Sequence, residues 1–216
     1  MNNFFKHLHV VNKHRFLVCV FSFKLGIPWR GLIHDLSKYS PKEFWPSVKY
    51  FDGHKSPLIN ERLDNDMYSS VFTHHTRKNK HHYEYWMDQY GGDLVLTKMP
   101  YKYALEHVAD VISASKTYNG KNFTKDKPLE YFELSSPHYF MHSMTVEFVK
   151  TLLTIYKEEG FKGLKHKHTK QIYKELDKKY PLCEMIEVYS LNHSLNKFPI
   201  DEEVIKTHFH FYQPKK

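Results

Sequence analysis

The chain contains few cysteines and no long apolar run, and each shortage excludes a class of protein. Two cysteines, Cys19 and Cys183, occur among 216 residues. They are too few for a disulfide scaffold and form no Cys-x-x-Cys pair, so we expect a protein of the reducing cytoplasm. The longest apolar stretch near the N-terminus, residues 16–23, has about half the length of a membrane span. We therefore expect neither a signal peptide nor a membrane partner.

Alternating strand patterns and internal repeats are also missing from the sequence. Hydrophobic residues make up 41% of the chain and aromatic residues 16%, which is typical of a folded globule. The length suits a single core, and we find no linker that separates two folding units. These features predict an all-α protein.

Acidic residues are outnumbered by basic ones, which gives a net charge of +8 and a pI near 9.2. This charge favours phosphorylated small molecules or nucleic acid as partners and does not distinguish between them. Histidine, by contrast, is abundant, with 17 residues. The positions of these histidines therefore carry most of the functional information.

Apolar spacing, helix caps and prolines predict helices over most of the chain. The doublet His34-Asp35 is placed on the second helix, and a break is expected near Asn79. The three tryptophans at positions 29, 45 and 86 are predicted to lie in the core. The predicted helices cover residues 4–25, 29–36, 41–50, 61–90 with the break, 100–118, 137–159, 164–179, 181–195 and a short one after Asp201.

Residues that can bind metal recur along the first half of the chain. Neutral imidazoles together with carboxylates suit zinc, iron, manganese or nickel. Asp110 lies in the apolar segment HVADVIS, where an unpaired carboxylate is costly, so it needs a metal or an arginine as partner. Ligands from several helices point to a site inside a helical bundle. The series is His14, His34-Asp35, His74-His75, His81-His82 and Asp110.

This order of H, HD, H, HH and D resembles the HD-domain superfamily of metal-dependent phosphohydrolases. The segments HRFLV, RGLIHDLSKYSPKEF and HHTRKNKHHYEYW also resemble DUF5662, a family of unknown function, over about residues 7–118. The resemblance implies an HD-like helical bundle over residues 1–120, with a helical extension over 121–216 packed on it. The GYP triplet of one HD branch is missing, because Tyr83–Trp86 stands in its place.

The resemblance also implies roles for individual residues. Asp35 is the candidate to bridge two metal ions, and Asp35 and Lys38 are the catalytic candidates. Lys38, Arg77 and Lys80 are implied as contacts to substrate phosphate. His7 or His9 is an alternative to His14 as first ligand, and His74 is an alternative to His75. The implied ligands are His14, His34, Asp35, His75, His81, His82 and Asp110.

Three functions follow from this reading. The first is a phosphohydrolase that uses a pair of transition-metal ions, iron or manganese, with zinc, nickel or cobalt as alternatives. Its substrate would be a nucleotide or another small phosphomonoester or phosphodiester. The second is a di-iron oxygenase of the HD type, and the third is a basic module that binds nucleic acid or a partner and holds a structural metal.

Overall fold

The computed structural model of the protein describes residues 3–53, 55–90 and 93–186. These residues are mostly helical, and five short 3-10 helices join the longer elements. The α-helices are α1 Asn3–Lys24, α2 Pro28–Ile33, α3 Pro41–Lys49, α4 Pro57–Asp64, α5 Ser70–Lys78, α6 Tyr101–Asn119, α7 Lys127–Ser135, α8 Ser143–Glu159 and α9 His166–Lys179. The 3-10 helices are Leu36–Tyr39, Tyr83–Trp86, Gly120–Asn122, Ser136–His138 and Gly160–Lys162.

The helix boundaries predicted at Gly26, Pro28 and Pro41 are confirmed, whereas the helix predicted to begin at Pro137 begins only at Ser143. α1 ends just before Gly26, which has a φ of +76° that L side chains rarely adopt. Pro28 and Pro41 stand at the first position of α2 and α3, where a missing N–H costs nothing. The expected break also occurs, since α5 ends at Lys78 and Asn79 caps it.

A small sheet corrects the expectation of an all-helical chain. β1 Met87–Tyr90 pairs antiparallel with β2 Asp93–Thr97, and β2 pairs antiparallel with β3 Cys183–Ile186. The helix predicted over 61–90 is therefore wrong at its end, where β1 lies, and the helix predicted over 181–195 is wrong at its start. The rest of the second helix lies outside the described residues, as does the helix after Asp201. Strands of four or five residues are too short to show a clear alternation.

The core surrounds α6, which contacts α1 on one side and α7 and α8 on the other. Val18 of α1, Leu105 of α6 and Leu152 of α8 are each fully buried in the same apolar cluster. Side chains before and after residue 120 thus share one core. No helix among the described residues is long and apolar enough to cross a membrane.

Two tryptophans depart from the predicted core. Trp29 is 76% exposed and Trp45 is 58% exposed, so the prediction is wrong for both. Only Trp86 packs against the core, and its indole N–H donates to the carbonyl of Lys80. A single exposed aromatic side chain is common, whereas a contiguous exposed apolar patch marks an interaction site.

Candidate metal centre

The doublet His34-Asp35 lies in a turn, which corrects its predicted place on a helix. α2 ends at Ile33, and Asp35 adopts a left-handed φ of 52°. Such a conformation costs about 1–3 kcal/mol outside glycine, so the surrounding contacts must hold it. Arg15 is one of them, because its guanidinium donates to the carbonyls of Leu32 and His34. The turn directs both side chains of the doublet into one buried site.

The two carboxylate oxygens of Asp35 face different histidines. Oδ2 lies 3.3 Å from Nε2 of His34 and 4.0 Å from Nε2 of His14. Oδ1 lies 3.3 Å from Nε2 of His75 and 3.5 Å from Nε2 of His81. Asp35 is 1% exposed, and because its two oxygens face four histidines it lies at the centre of the cluster.

Among the described residues, three groups of side chains could each hold a metal ion, and two of them lie on either side of Asp35. His14, His34 and Asp110 form the first of these two, and the third group joins His34 and His81 with Glu106. The ligand atoms of each group all lie within 4.8 Å of one another. Nε2 of His14 is 3.0 Å from Oδ1 of Asp110, and Nε2 of His34 is 3.7 Å from the same oxygen. The structure thus brings together residues from α1, from the turn after α2 and from α6.

His75, His81 and His82 form the second group together with Asp35, again within 4.8 Å. His75 lies in the last turn of α5, and His81 and His82 follow in the chain segment after Asn79. The break at Asn79 lets the later pair turn back towards α5, because a continuous helix would carry them past the site.

The alternatives from the sequence lie elsewhere. Nδ1 of His74 is 2.8 Å from Oε1 of Glu43, and His74 belongs to neither group. His9 is exposed, whereas His7 is buried and lines the neighbouring pocket without joining a group. The geometry therefore favours His14 and His75 over these alternatives.

Several polar atoms at this place are buried without a hydrogen-bond partner among the described residues. A buried polar atom that lacks a hydrogen bond costs about 1–3 kcal/mol. The same atom types, imidazole nitrogens and carboxylate oxygens, are ligands of divalent transition metals. These residues therefore fit a metal ion and could hold one. The atoms are Nε2 of His14, His34, His81 and His82, and Oδ1 of Asp35.

Glu106 contacts the Nδ1 side of two histidine rings, and it was not among the predicted site residues. It is fully buried, and its Oε1 lies 3.1 Å from Nδ1 of His34 and 3.5 Å from Nδ1 of His81. Its Oε2 accepts a hydrogen bond of 2.7 Å from Arg30. Because Glu106 occupies the Nδ1 side, both rings turn Nε2 towards Asp35. The available signal was its position four residues before Asp110 in an apolar helix.

Glu43 contacts a histidine of the second group in the same way, at Nδ1. Its Oε2 lies 2.8 Å from Nδ1 of His75, and it is 1% exposed. Glu43 lies in the first turn of α3 and was not among the predicted site residues. His107 was also missed, and its Nδ1 lies 3.0 Å from the carbonyl of His81, which fixes the backbone there.

Burial disfavours charge on every group of the cluster, and the neighbouring charges either oppose this effect or add to it. Burial alone would raise the pKa of Asp35, but the positive charges of His34 and Lys38 outweigh it and hold that pKa well below its usual range. Burial likewise lowers the pKa of His75, but Asp35 opposes this and raises it to about 9. Burial lowers the pKa of His81 well below its usual value, which keeps this ring neutral and able to bind metal.

A cavity of about 380 Å³ opens beside the cluster. Its polar end includes Asp35, His75 and Lys38, and Phe51 and Leu58 contribute to its apolar part. Nζ of Lys38 lies 2.7 Å from Oδ2 of Asp35, which agrees with their spacing of three residues. The cavity thus joins the histidine cluster to a space of the size that small ligands occupy.

Arg77 and Lys80, the other predicted phosphate contacts, do not line this cavity. Arg77 is exposed at the end of α5. The ammonium group of Lys80 lies over the rings of Tyr85 and Tyr103, at 5.2 and 5.9 Å from their centroids. The structure therefore does not bring these two cations to the cluster.

Fold and site together define a mostly helical protein with a buried cluster of histidines and carboxylates that could hold a metal. The model of a family of unknown function, DUF5662, matches residues 3–155. The chain therefore belongs to DUF5662, and the match includes every residue of the two groups. No curated protein and no solved structure matches the chain.

Proposed function

We propose that the cluster holds two divalent transition-metal ions and that the protein is a metal-dependent phosphohydrolase. The order of the ligands along the chain resembles that of HD-domain enzymes, and we propose an HD-like bundle for the helices that carry them. Asp35 would bridge the two ions. The ligands would divide into His14, His34 and Asp110 for one ion, and His75, His81 and His82 for the other.

One observation carries this proposal, namely that the two oxygens of Asp35 face two separate sets of imidazole nitrogens. A carboxylate that holds a single ion needs ligands on one side only. Seven candidate ligands also exceed the four that a closed structural site uses. Two ions bridged by one carboxylate would account for both facts.

When bound, the ions would supply an activated water and positive charge for the phosphoryl oxygens. Lys38 would contribute a third positive charge, because its ammonium group lines the cavity beside Asp35. We propose that it exchanges part of its contact with Asp35 for a phosphate oxygen and holds the phosphoryl group in place. It is a cation at neutral pH, since Asp35 and Asp110 outweigh the effect of burial and raise its pKa above the ordinary value.

The rest of the cavity would hold the body of the substrate. A volume of about 380 Å³ lies at the lower end of the range for small-molecule sites. Apolar side chains such as Phe51, Leu58 and Phe72 form part of its wall. We therefore propose a small phosphorylated molecule, such as a mononucleotide, as the substrate.

Metal analysis of protein purified without an affinity tag tests the centre. The wild type is expected to hold about two equivalents of iron or manganese, and Asp35→Ala to lose them. Asp64→Ala is the matched control, because Asp64 is a 60% exposed carboxylate of α4 in a surface ion pair. No stoichiometric metal in the wild type, even after metal is added back, would refute the centre.

Activity assays on the loaded protein test the reaction. We expect hydrolysis of p-nitrophenyl phosphate, its bis-ester or nucleoside monophosphates, with the same rate in air and under argon. Lys38→Met should lower kcat/KM by about 100-fold at unchanged metal content, whereas the exposed Lys49→Met should not. Stoichiometric iron with oxygen consumption and no hydrolysis would favour the di-iron oxygenase instead.

A further inference from the structure

A stripe of large apolar side chains covers the outside of α2 and the turn after it. Trp29, Leu32, Ile33 and Leu36 are 76%, 46%, 47% and 52% exposed. Trp29, Leu32 and Ile33 are spaced by three and four residues, which places them on one side of α2, and Leu36 follows in the 3-10 helix after the turn. Apolar residues at this spacing usually lie on the buried side of a helix, but here their side chains face outwards.

The packing of α2 on α1 explains why this side faces outwards. α2 approaches α1 through Gly31, where an added Cβ would lie 2.6 Å from Cβ of Ser22 and 2.9 Å from Cα of Cys19. The side of α2 without large side chains is therefore the one in contact. The large side chains are left on the opposite side, where about half of their surface or more stays exposed.

The stripe continues towards α3. The guanidinium of Arg15 donates to the carbonyl of Leu32 and lies 4.9 Å from the ring centre of Tyr39. Tyr39 in turn lines a shallow apolar groove of about 260 Å³ together with Phe4 and Trp45. We call this surface, formed by Trp29, Leu32, Ile33, Leu36, Tyr39 and Trp45, the outer apolar face.

The exposed charges of the segment that carries the outer apolar face have one sign. Residues 3–50 contain two acidic side chains, Asp35 and Glu43, and both are 1% exposed. The same segment carries exposed lysines, and within the described part of the chain no carboxylate forms an ion pair with Lys6, Lys13, Lys24 or Lys42. The exposed surface of this segment is therefore apolar and positively charged.

We propose that the outer apolar face docks on the surface of an anionic phospholipid bilayer. Tryptophan and leucine side chains would enter the boundary between headgroups and acyl chains, and the lysines would lie among the headgroup phosphates. A second copy of this chain fits less well, because a two-fold contact would bring like-charged lysines together. Since no described helix can span a bilayer, the attachment is peripheral. It would modify the sequence-based expectation of no membrane partner.

Vesicle co-sedimentation with the full chain tests this proposal. We expect binding to vesicles of equal parts phosphatidylglycerol and phosphatidylcholine, and far weaker binding to phosphatidylcholine alone. Leu32→Ser with Leu36→Ser should weaken binding at least about tenfold, because both positions lose buried apolar area. Lys13→Gln with Lys42→Gln should weaken it about fivefold for each lysine.

Matched variants elsewhere on the surface serve as controls. Leu134 and Leu182 are 57% and 75% exposed, and replacing both with serine should leave vesicle binding unchanged. Lys174→Gln with Lys178→Gln on α9 is the control for charge.

The proposal is overturned if the wild type binds neither kind of vesicle, or binds both equally well. It is also overturned if the variants of the outer apolar face bind as tightly as their controls. Light scattering identifies the alternative occupant. A dimer that Leu32→Ser with Leu36→Ser converts to a monomer, without any vesicle binding, would assign the face to a second copy of the chain.

Discussion

Replacing Glu106 with glutamine tests how the candidate metal centre is held. The change keeps the size of the side chain and removes its charge. One carboxylate oxygen of Glu106 faces Nδ1 of His34, and the other accepts from Arg30. An amide has only one acceptor oxygen, so its NH2 group must face a donor on one of the two sides.

Either orientation of the amide weakens the site. If the NH2 group faces the histidines, their Nδ1 atoms no longer have an acceptor, and the proton shifts to the Nε2 atoms that would bind metal. If it faces Arg30, the guanidinium loses its partner and the helix contact loosens. Loss of such a supporting carboxylate typically lowers metal affinity by about 10–100-fold. That range corresponds to about 1.4–2.7 kcal/mol of binding free energy.

Competition with a chelator of known affinity measures this effect. The control is Glu61→Gln, because Glu61 is 3% exposed and hydrogen-bonded to Ser69 and Ser70, outside both groups of candidate ligands. Thermal unfolding of both metal-free variants separates a loss of stability from a loss of affinity. Equal metal affinity for Glu106→Gln and wild type would refute the supporting role of Glu106. An equal loss in Glu61→Gln would show a general effect of the fold.

Two further predictions concern pH and packing. In the metal-free protein the pKa of His75 is raised from 6.5 to about 9, so the ring is protonated at neutral pH and a metal must displace that proton. Metal affinity should therefore rise between pH 6.5 and 9, while the stability of the metal-free protein should fall. Titration calorimetry measures the affinity across this range, and thermal unfolding measures the stability. Flat profiles would contradict the raised pKa of His75. Gly31→Ala should lower the free energy of unfolding by about 1–3 kcal/mol, because its methyl group would collide with α1. An unchanged midpoint in urea would show that α1 and α2 are not in the close contact described.

The sequence was informative at several helix ends where a local residue determines the structure. The boundaries of α1, α3 and α6 follow from Gly26, Pro41 and Pro100, whose backbone limits act on their immediate neighbours. The strands could not be predicted in this way, because β3 lies more than 80 residues from its partner and its stability comes from that pairing.

In the candidate site, too, the features that local residue types determine could be predicted, and those that depend on distant packing could not. The ligand series could be read from residue types, and the structure does bring these residues together. The left-handed turn at Asp35 could not be predicted, because the position is occupied by neither glycine nor asparagine. The contacts of Glu106 and Glu43 also could not be read. Which ring nitrogen a carboxylate faces depends on how α6 packs beside α2 and how α3 packs beside α5.

α6 links the apolar core to the charged cluster. Glu106 and Asp110 are four residues apart and point to the histidines, while Leu105 and Ile112 are fully buried in the core that α6 shares with α8. Because the core fixes α6, its two carboxylates are already held in place before any ion binds. Ligands fixed in advance lose little conformational entropy on binding, which favours affinity. The apolar packing on one side of α6 would therefore be a condition for the proposed metal binding on the other.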